Sequence, residues 1–127
     1  MHDPMNPTSY EIEEWAYAPE AEEPCQEWIL ALVWKAYVRE YIKYVADPDC
    51  PNRLYFLDVL YYIIGSAVRG EFVSTPRPII EGWLEDERIA GCADLVRWGE
   101  RSRELLRNPS SFDFEYWCGR GHMAARD

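Results

Sequence analysis

The sequence predicts a single all-α domain, an irregular bundle of four to five helices, and three observations support this class. The length of 127 residues is usual for one domain. A hydrophobic fraction of 48% supplies the side chains for a core and excludes global disorder. Apolar residues recur at steps of three and four through most of the chain, which is the periodicity of helices, and few segments alternate as strands do.

Residues 1–24 are predicted to form an extended acidic arm that docks on a helical domain of residues 25–127. Residues 1–34 contain eight acids and no Lys or Arg, so −8 of the formal charge of −10 lies in the first quarter of the chain. Four prolines in the arm disfavour a long helix, although a short helical turn over residues 9–16 fits the pattern. The aromatic residues between the acids provide apolar area for docking.

An amphipathic helix is predicted over residues 25–46, which contain neither Gly nor Pro. Lys35, Arg39 and Lys43 recur at steps of four and form a basic row on its outer side. Larger apolar residues recur at alternating steps of four and three on the opposite side, which we expect to face the core. These residues are Leu30, Trp34, Tyr37, Tyr41 and Tyr44.

Three more helices complete the predicted bundle. Residues 53–69 are apolar on nearly all sides and end before Gly70, so this helix is expected to be the central one. Helices over residues 76–89 and 92–107 follow, separated by Gly91. Residues 112–118 form an aromatic C-terminal tail, predicted to pack as an extended segment across the helices.

The charge and the cysteines exclude several classes of protein. A pI near 4.6 disfavours binding to nucleic acids or anionic membranes, which attract Lys and Arg. The four cysteines form no CxxC pair and are expected to be reduced thiols. No signal peptide is recognised at the N-terminus, and the apolar run of residues 54–68 is too short to span a membrane. We therefore expect a cytoplasmic protein.

Catalytic and metal sites have little support in the sequence. Asp58 is the strongest anomaly, because a carboxylate in an apolar helix must be paired, hydrogen-bonded or protonated. It could pair with a Tyr or Arg of another element, or it could act with Tyr61, Tyr62 or His122 in a pocket between helices of a small enzyme. Cys118 and His122 have the spacing Cys-x3-His, but no further ligands are close in sequence, so no metal site and no cofactor are predicted.

Carboxylates interleaved with aromatic residues predict a surface for a basic partner. Such charges would steer a cationic protein toward this chain, and Trp and Tyr are enriched in the hot spots of interfaces. We therefore expect a module that inhibits a basic protein by covering its active or nucleic-acid-binding surface, as toxin-immunity proteins, antitoxins and phage inhibitors do. The expected partner-binding residues are Glu11, Glu13, Glu14, Trp15, Tyr17, Glu20, Glu22, Glu23, Glu85, Asp86 and Glu87.

Other functions remain open at this stage besides the small enzyme. A mimic of DNA would also be acidic, but residues 35–127 carry 15 acids against 13 bases, which weakens that interpretation. A structural scaffold subunit is consistent with the same residues. Exposed aromatic residues would serve a homodimer equally well.

Overall fold

The computed structural model describes residues 3–70, 72, 75–113 and 117, and over these residues it is helical without a strand. It thus confirms the all-α class. Two short 3₁₀ turns, Glu87–Gly91 and Pro109–Ser111, connect or follow the main elements. The six α-helices are α1 (Ser9–Ala16), α2 (Trp28–Lys35), α3 (Val38–Ala46), α4 (Arg53–Arg69), α5 (Arg77–Leu84) and α6 (Ala93–Arg107).

Helix α4 lies at the centre, as its nearly continuous apolar sequence predicts. It packs against α2, α3 and α6, and ten of its seventeen residues are buried. Gly70 follows its last residue, and the Gly70 amide donates to the carbonyl of Ser66. Within the described ranges, no helix combines the length and apolarity needed to cross a bilayer.

The single helix predicted over residues 25–46 is wrong. The structure has α2 and α3 instead, because Ala36 adopts a left-handed conformation with φ of 51°. The Tyr41 hydroxyl donates to the Leu32 carbonyl at 2.7 Å, and the Ala36 amide donates to the same oxygen at 3.0 Å. These bonds end α2 and account for the additional helix.

The break also changes which residues form the core. Tyr41 and Tyr44 of α3 are buried as expected. Leu30 and Trp34 of α2 were expected to face the core but are 39% and 84% exposed. This part of the prediction is wrong because the helix breaks at Ala36, so the periodicity of one continuous helix does not hold across residues 25–46.

The helix predicted over residues 76–89 is also shorter than expected. Helix α5 ends at Leu84, and a separate 3₁₀ turn begins at Glu87. Asp86 starts this turn, since its side chain accepts a hydrogen bond from the Arg88 amide at 3.0 Å. The helix predicted over residues 92–107 differs from α6 by one residue.

Only part of the predicted C-terminal tail falls within the described residues, namely Phe112, Asp113 and Trp117. Trp117 is buried, its indole N–H donates to the Tyr61 carbonyl at 2.6 Å, and its ring packs edge-on against Tyr61. Trp117 therefore completes the packing around α4.

Candidate functional site

The first residue of helix α1 is determined by a reciprocal pair of hydrogen bonds in its first turn. The Thr8 hydroxyl oxygen accepts from the Glu11 amide at 3.1 Å, and the Glu11 carboxylate accepts from the Thr8 amide at 3.0 Å. This capping box satisfies two amides that a helix start leaves unpaired. On its inner side α1 buries Ile12, Trp15 and Ala16.

Asn52 fixes the end of α1 on the bundle. Its side-chain amide donates to the carbonyls of Trp15 and Ala18 at 2.8 and 2.9 Å. The indole N–H of Trp15 in turn donates to the Glu22 carbonyl at 2.9 Å, which fixes the segment after the helix. No local sequence pattern indicates that Asn52 bonds a residue 37 positions earlier in the chain.

Trp15, one of the expected partner-binding residues, lies in an aromatic cluster of the core. It is 9% exposed, and its ring packs edge-on against Trp28, Tyr55 and Phe56 with centroids 4.8, 4.9 and 5.9 Å away. Trp15 therefore positions α1 instead of extending into solvent. The spacing of aromatic residues along the sequence does not distinguish these two roles.

Tyr17, also expected at a partner surface, is half-buried and connects α1 to the end of α3. Its hydroxyl donates to the Asp47 carboxylate at 2.7 Å. Burial, and then this bond, raise the pKa of Tyr17, while the same bond lowers the pKa of Asp47. The Tyr17 hydroxyl is thus already hydrogen-bonded within the protein.

The carboxylates of α1 and of the segment after it are exposed or partly exposed, and we call this group of side chains the acidic face. Glu13 forms an ion pair with Lys43 at 3.0 Å, and the carboxylate of Glu23 accepts from the Tyr55 hydroxyl at 2.9 Å. The carboxylates of Glu14, Glu20 and Glu22 form no ion pair with any of the described bases. The acidic face comprises Glu11, Glu13, Glu14, Glu20, Glu22 and Glu23, all at least partly exposed.

Two grooves in this face share Trp15 as a wall. One has a volume of about 490 Å³ and is lined by Glu11, Glu14, Ala18 and Pro24 besides the indole. The second, of about 800 Å³, has Glu22, Glu23, Asp49 and Tyr55 among its lining residues, together with one base, Arg53, which is paired with Asp94 at 3.0 Å. Carboxylates beside apolar walls suit a Lys or Arg side chain, whose aliphatic stem packs while its charged end is paired.

Tyr10 is an exposed aromatic residue on the acidic face. It lies four residues before Glu14 on α1, which places both on one side of the helix. Its exposed fraction of 67% contrasts with the burial of Trp15. Of the aromatic residues in α1, Tyr10 is therefore the one available for contact with another molecule.

Of the three acids expected to form a second partner-binding cluster at residues 85–87, two are exposed and one has a buried side chain. Glu85 and Glu87 are exposed. The side chain of Asp86 is 6% exposed and pairs with Arg88 at 2.8 Å and Arg39 at 3.6 Å. Its hydrogen bond with Arg88 lowers its pKa to about 2. Asp86 therefore connects the 3₁₀ turn to α3 and is occupied within the protein.

The residues of the enzyme hypothesis lie only partly in the described part of the chain, which therefore does not test it. Asp58 is half-buried on α4 and has a partner within the fold. His122 and Cys118 lie outside the described residues. Where side chains are described, no group of three or more His, Cys, Asp or Glu residues could hold a metal ion.

Comparisons with protein-family models, with curated proteins and with solved structures found no significant match.

Proposed function

We propose that this protein is a binding module that recognises a basic protein through the acidic face and blocks its active or nucleic-acid-binding surface. The exposed carboxylates of Glu14, Glu20 and Glu22, which no described base neutralises, are the observation that carries the proposal. A surface that only maintained solubility would be expected to carry mixed charges. The partner is a protein with a basic functional surface, such as a toxin or a nuclease.

Recognition proceeds in two steps that follow from charge and shape. The net charge of −10 attracts a cationic protein and raises the rate of encounter. Lys or Arg side chains of the partner then enter the grooves beside Trp15, and Tyr10 contacts the partner at the edge of the face. The rigid attachment of α1 keeps the entropic cost of forming this interface low.

The test uses two charge-matched triple variants of the immobilised protein. One carries Glu14→Gln, Glu20→Gln and Glu22→Gln on the acidic face. The control carries Glu81→Gln, Glu100→Gln and Glu104→Gln, which are exposed residues elsewhere. A cell extract is applied at about 0.1 M salt and eluted at about 1 M, where charges more than about 3 Å apart are screened.

We expect the natural protein and the control to retain a basic protein that elutes at high salt. Adding the natural protein back to the eluted protein should inhibit the activity of the eluted protein. The acidic-face variant should retain at least about tenfold less, since each desolvated charge pair at an interface is worth about 1.5 kcal/mol or more. Equal retention by both variants would contradict the proposal. So would retention that does not depend on salt, or a small molecule that the protein converts to a product.

A further inference from the structure

Helices α2 and α3 are separated by two residues, Ala36 and Tyr37, which we call the hinge. Ala36 is left-handed, with φ of 51° and ψ of 41°. Tyr37, with φ of −78° and ψ of 62°, forms an inverse γ-turn in which the Val38 amide donates to the Ala36 carbonyl at 2.8 Å. A change of these two backbone conformations to right-handed helix would join α2 and α3 into one helix over residues 28–46.

The sequence around the hinge favours the joined helix. Residues 25–46 contain neither Gly nor Pro, and Ala is the best helix former. The left-handed conformation of Ala36 is unfavourable for a residue with a Cβ atom, and the joined helix would relieve it. The alternating steps of four and three from Leu30 to Tyr44 also fit one helix, a pattern that the break interrupts, since Leu30 and Trp34 are exposed. The broken form is therefore maintained by contacts outside the backbone of the hinge.

One of these contacts exists only in the broken form. The Tyr41 hydroxyl donates to the Leu32 carbonyl at 2.7 Å, across the hinge. In a continuous helix, residues nine positions apart are separated by about 13 Å along the axis and by about two and a half turns around it. The joined helix therefore cannot make this bond, and it places Leu32 and Tyr41 on opposite sides.

The two sides of the joined helix cannot both be buried by the same molecule. Tyr41 packs against α4, since its ring centroid lies 5.5 Å from that of Phe56. The side of α2 that buries Trp28, Ala31 and Leu32 packs against the same helix in the broken form. Joining turns that side of α2 away from its own α4, and α4 of a second copy offers the matching surface.

The chain before the hinge can change partners as a unit. The Trp28 indole donates to the Pro4 carbonyl at 2.8 Å, and its ring lies 4.8 Å from that of Trp15, so α1 and α2 are connected to each other. Contacts between this unit and the rest of the bundle include the ion pair of Glu13 with Lys43 at 3.0 Å. A second copy offers the same partners, so exchange re-forms such contacts between two chains.

We propose that this protein forms a domain-swapped dimer, in which α2 and α3 join into one helix and the chain before the hinge packs on the bundle of a second copy. The hinge sets the balance between monomer and dimer. Ala36 favours the joined helix, and the Tyr41 hydroxyl favours the broken one. The acidic face keeps its composition in both forms, so this inference does not depend on the proposed function.

The balance is tested with the full chain, refolded from denaturant at about 1 mM, the range of effective concentrations of tethered elements, and then analysed by sedimentation. Tyr41→Phe removes the bond that is specific to the broken form. Ala36→Gly relieves the strain of the broken form and disfavours the joined helix. Tyr44→Phe is the matched control, because Tyr44 is also buried on α3 and its hydroxyl makes no hydrogen bond to α2.

The natural chain should give both a monomer and a dimer. Tyr41→Phe should raise the association constant of the dimer roughly 25-fold, because each of the two hinges loses a hydrogen bond worth about fivefold. Ala36→Gly should lower it by about 100-fold or more, because each hinge changes by about tenfold. Tyr44→Phe should leave it unchanged. A Tyr41→Phe chain that stays monomeric, or an Ala36→Gly chain that dimerises as readily as the natural one, would overturn the proposal.

A zero-length cross-link identifies the exchange in the isolated dimer. A carbodiimide condenses the Lys43 amine with the Glu13 carboxylate, 3.0 Å away, into an amide with loss of water. The dimer is prepared from a mixture of isotope-labelled and unlabelled chains, and the linked peptides are identified by mass spectrometry, with Glu13→Gln as the control that cannot form the link. We expect links that join a labelled to an unlabelled chain. Links confined to single chains would show a dimer without exchange and refute the swap.

Discussion

At the scale of single residues, a few polar side chains decide how the elements are joined. Asp86 lies between two arginines and starts a 3₁₀ turn, and Arg88 also donates to the Arg39 carbonyl of α3 at 3.0 Å. Asn52 likewise holds the end of α1 by donating to the carbonyl of Trp15 in the helix and to that of Ala18 just after it. Each of these groups replaces hydrogen bonds to water with several inside the protein, so its removal leaves partners unsatisfied.

The pKa of Asp86 is lowered from 3.8 to about 2, and this shift predicts how the Asp86 carboxylate contributes to the free energy of unfolding at different pH values. Because the folded pKa lies below the unfolded one, the contribution is complete above about pH 4 and is lost as the pH falls toward 2. Asp86→Asn should lower the free energy of unfolding by about 1 to 2 kcal/mol at pH 7 and by less at pH 3. Urea unfolding at both pH values measures this difference.

Glu85→Gln is the control for Asp86→Asn, because Glu85 is the exposed neighbour of Asp86. It should change stability by less than about 0.5 kcal/mol at either pH. The stated role of Asp86 would be refuted by an equal loss of stability for Asp86→Asn at pH 7 and pH 3.

At the scale of elements, the break between α2 and α3 determines which surfaces the molecule presents. Helix propensity alone favours one continuous helix here, since residues 25–46 contain neither Gly nor Pro. The bond from Tyr41 to the Leu32 carbonyl and the burial of Trp28 and Leu32 outweigh that preference. The cost is a left-handed conformation at Ala36, which is unfavourable for a residue with a Cβ atom.

Ala36→Gly should therefore raise the free energy of unfolding by about 0.5 to 1 kcal/mol. Gly adopts a positive φ without strain, so the substitution removes the conformational strain at this position. The free energy gained in this way exceeds the extra entropic cost of ordering a Gly on folding. Ala31→Gly is the control inside α2, where the backbone is right-handed, and it should lower stability by at least about 1 kcal/mol. Thermal or urea unfolding of the two variants checks this, and a destabilised Ala36→Gly would be inconsistent with the strain described.

At the scale of the whole molecule, the N-terminal segment contributes to the core of the bundle. Ile12 and Ala16 are buried along with Trp15, and the Cys50 thiol donates to the Ala16 carbonyl at 3.2 Å. Removing residues 1–24 would therefore expose core side chains as well as delete charge. For this reason the function of the acidic face is better tested by neutralising its exposed carboxylates than by truncation.

Trp15→Ala and Tyr10→Ala form a matched pair on α1 that tests this contribution. Trp15→Ala should cost about 3 to 5 kcal/mol, because it leaves a cavity in the aromatic cluster around Trp28 and Phe56. Tyr10→Ala, at a site that is 67% exposed, should change stability by less than about 0.5 kcal/mol. Chemical unfolding monitored by circular dichroism measures both, and similar losses for the two variants would contradict the burial described.

Local patterns in the sequence determined the all-α class, the central position of α4 and the bounds of α1, α4 and α6. They also determined the concentration of acids ahead of Lys35. These features can be predicted because composition and helical periodicity are properties of the sequence itself and require no contact between distant residues. Charge and aromatic content could therefore be predicted from the sequence, but which aromatic residues are buried could not.

Tertiary structure alone decided that Trp15 is in the core while Trp34 is in solvent, that the helix breaks at Ala36, and that Asp86 is occupied by arginines. Each outcome depends on contacts between residues distant in the chain, such as Asn52 with Trp15 and Asp86 with Arg39. The energies of such contacts outweigh local propensities, which differ by less than about 1 kcal/mol per residue for most residue types.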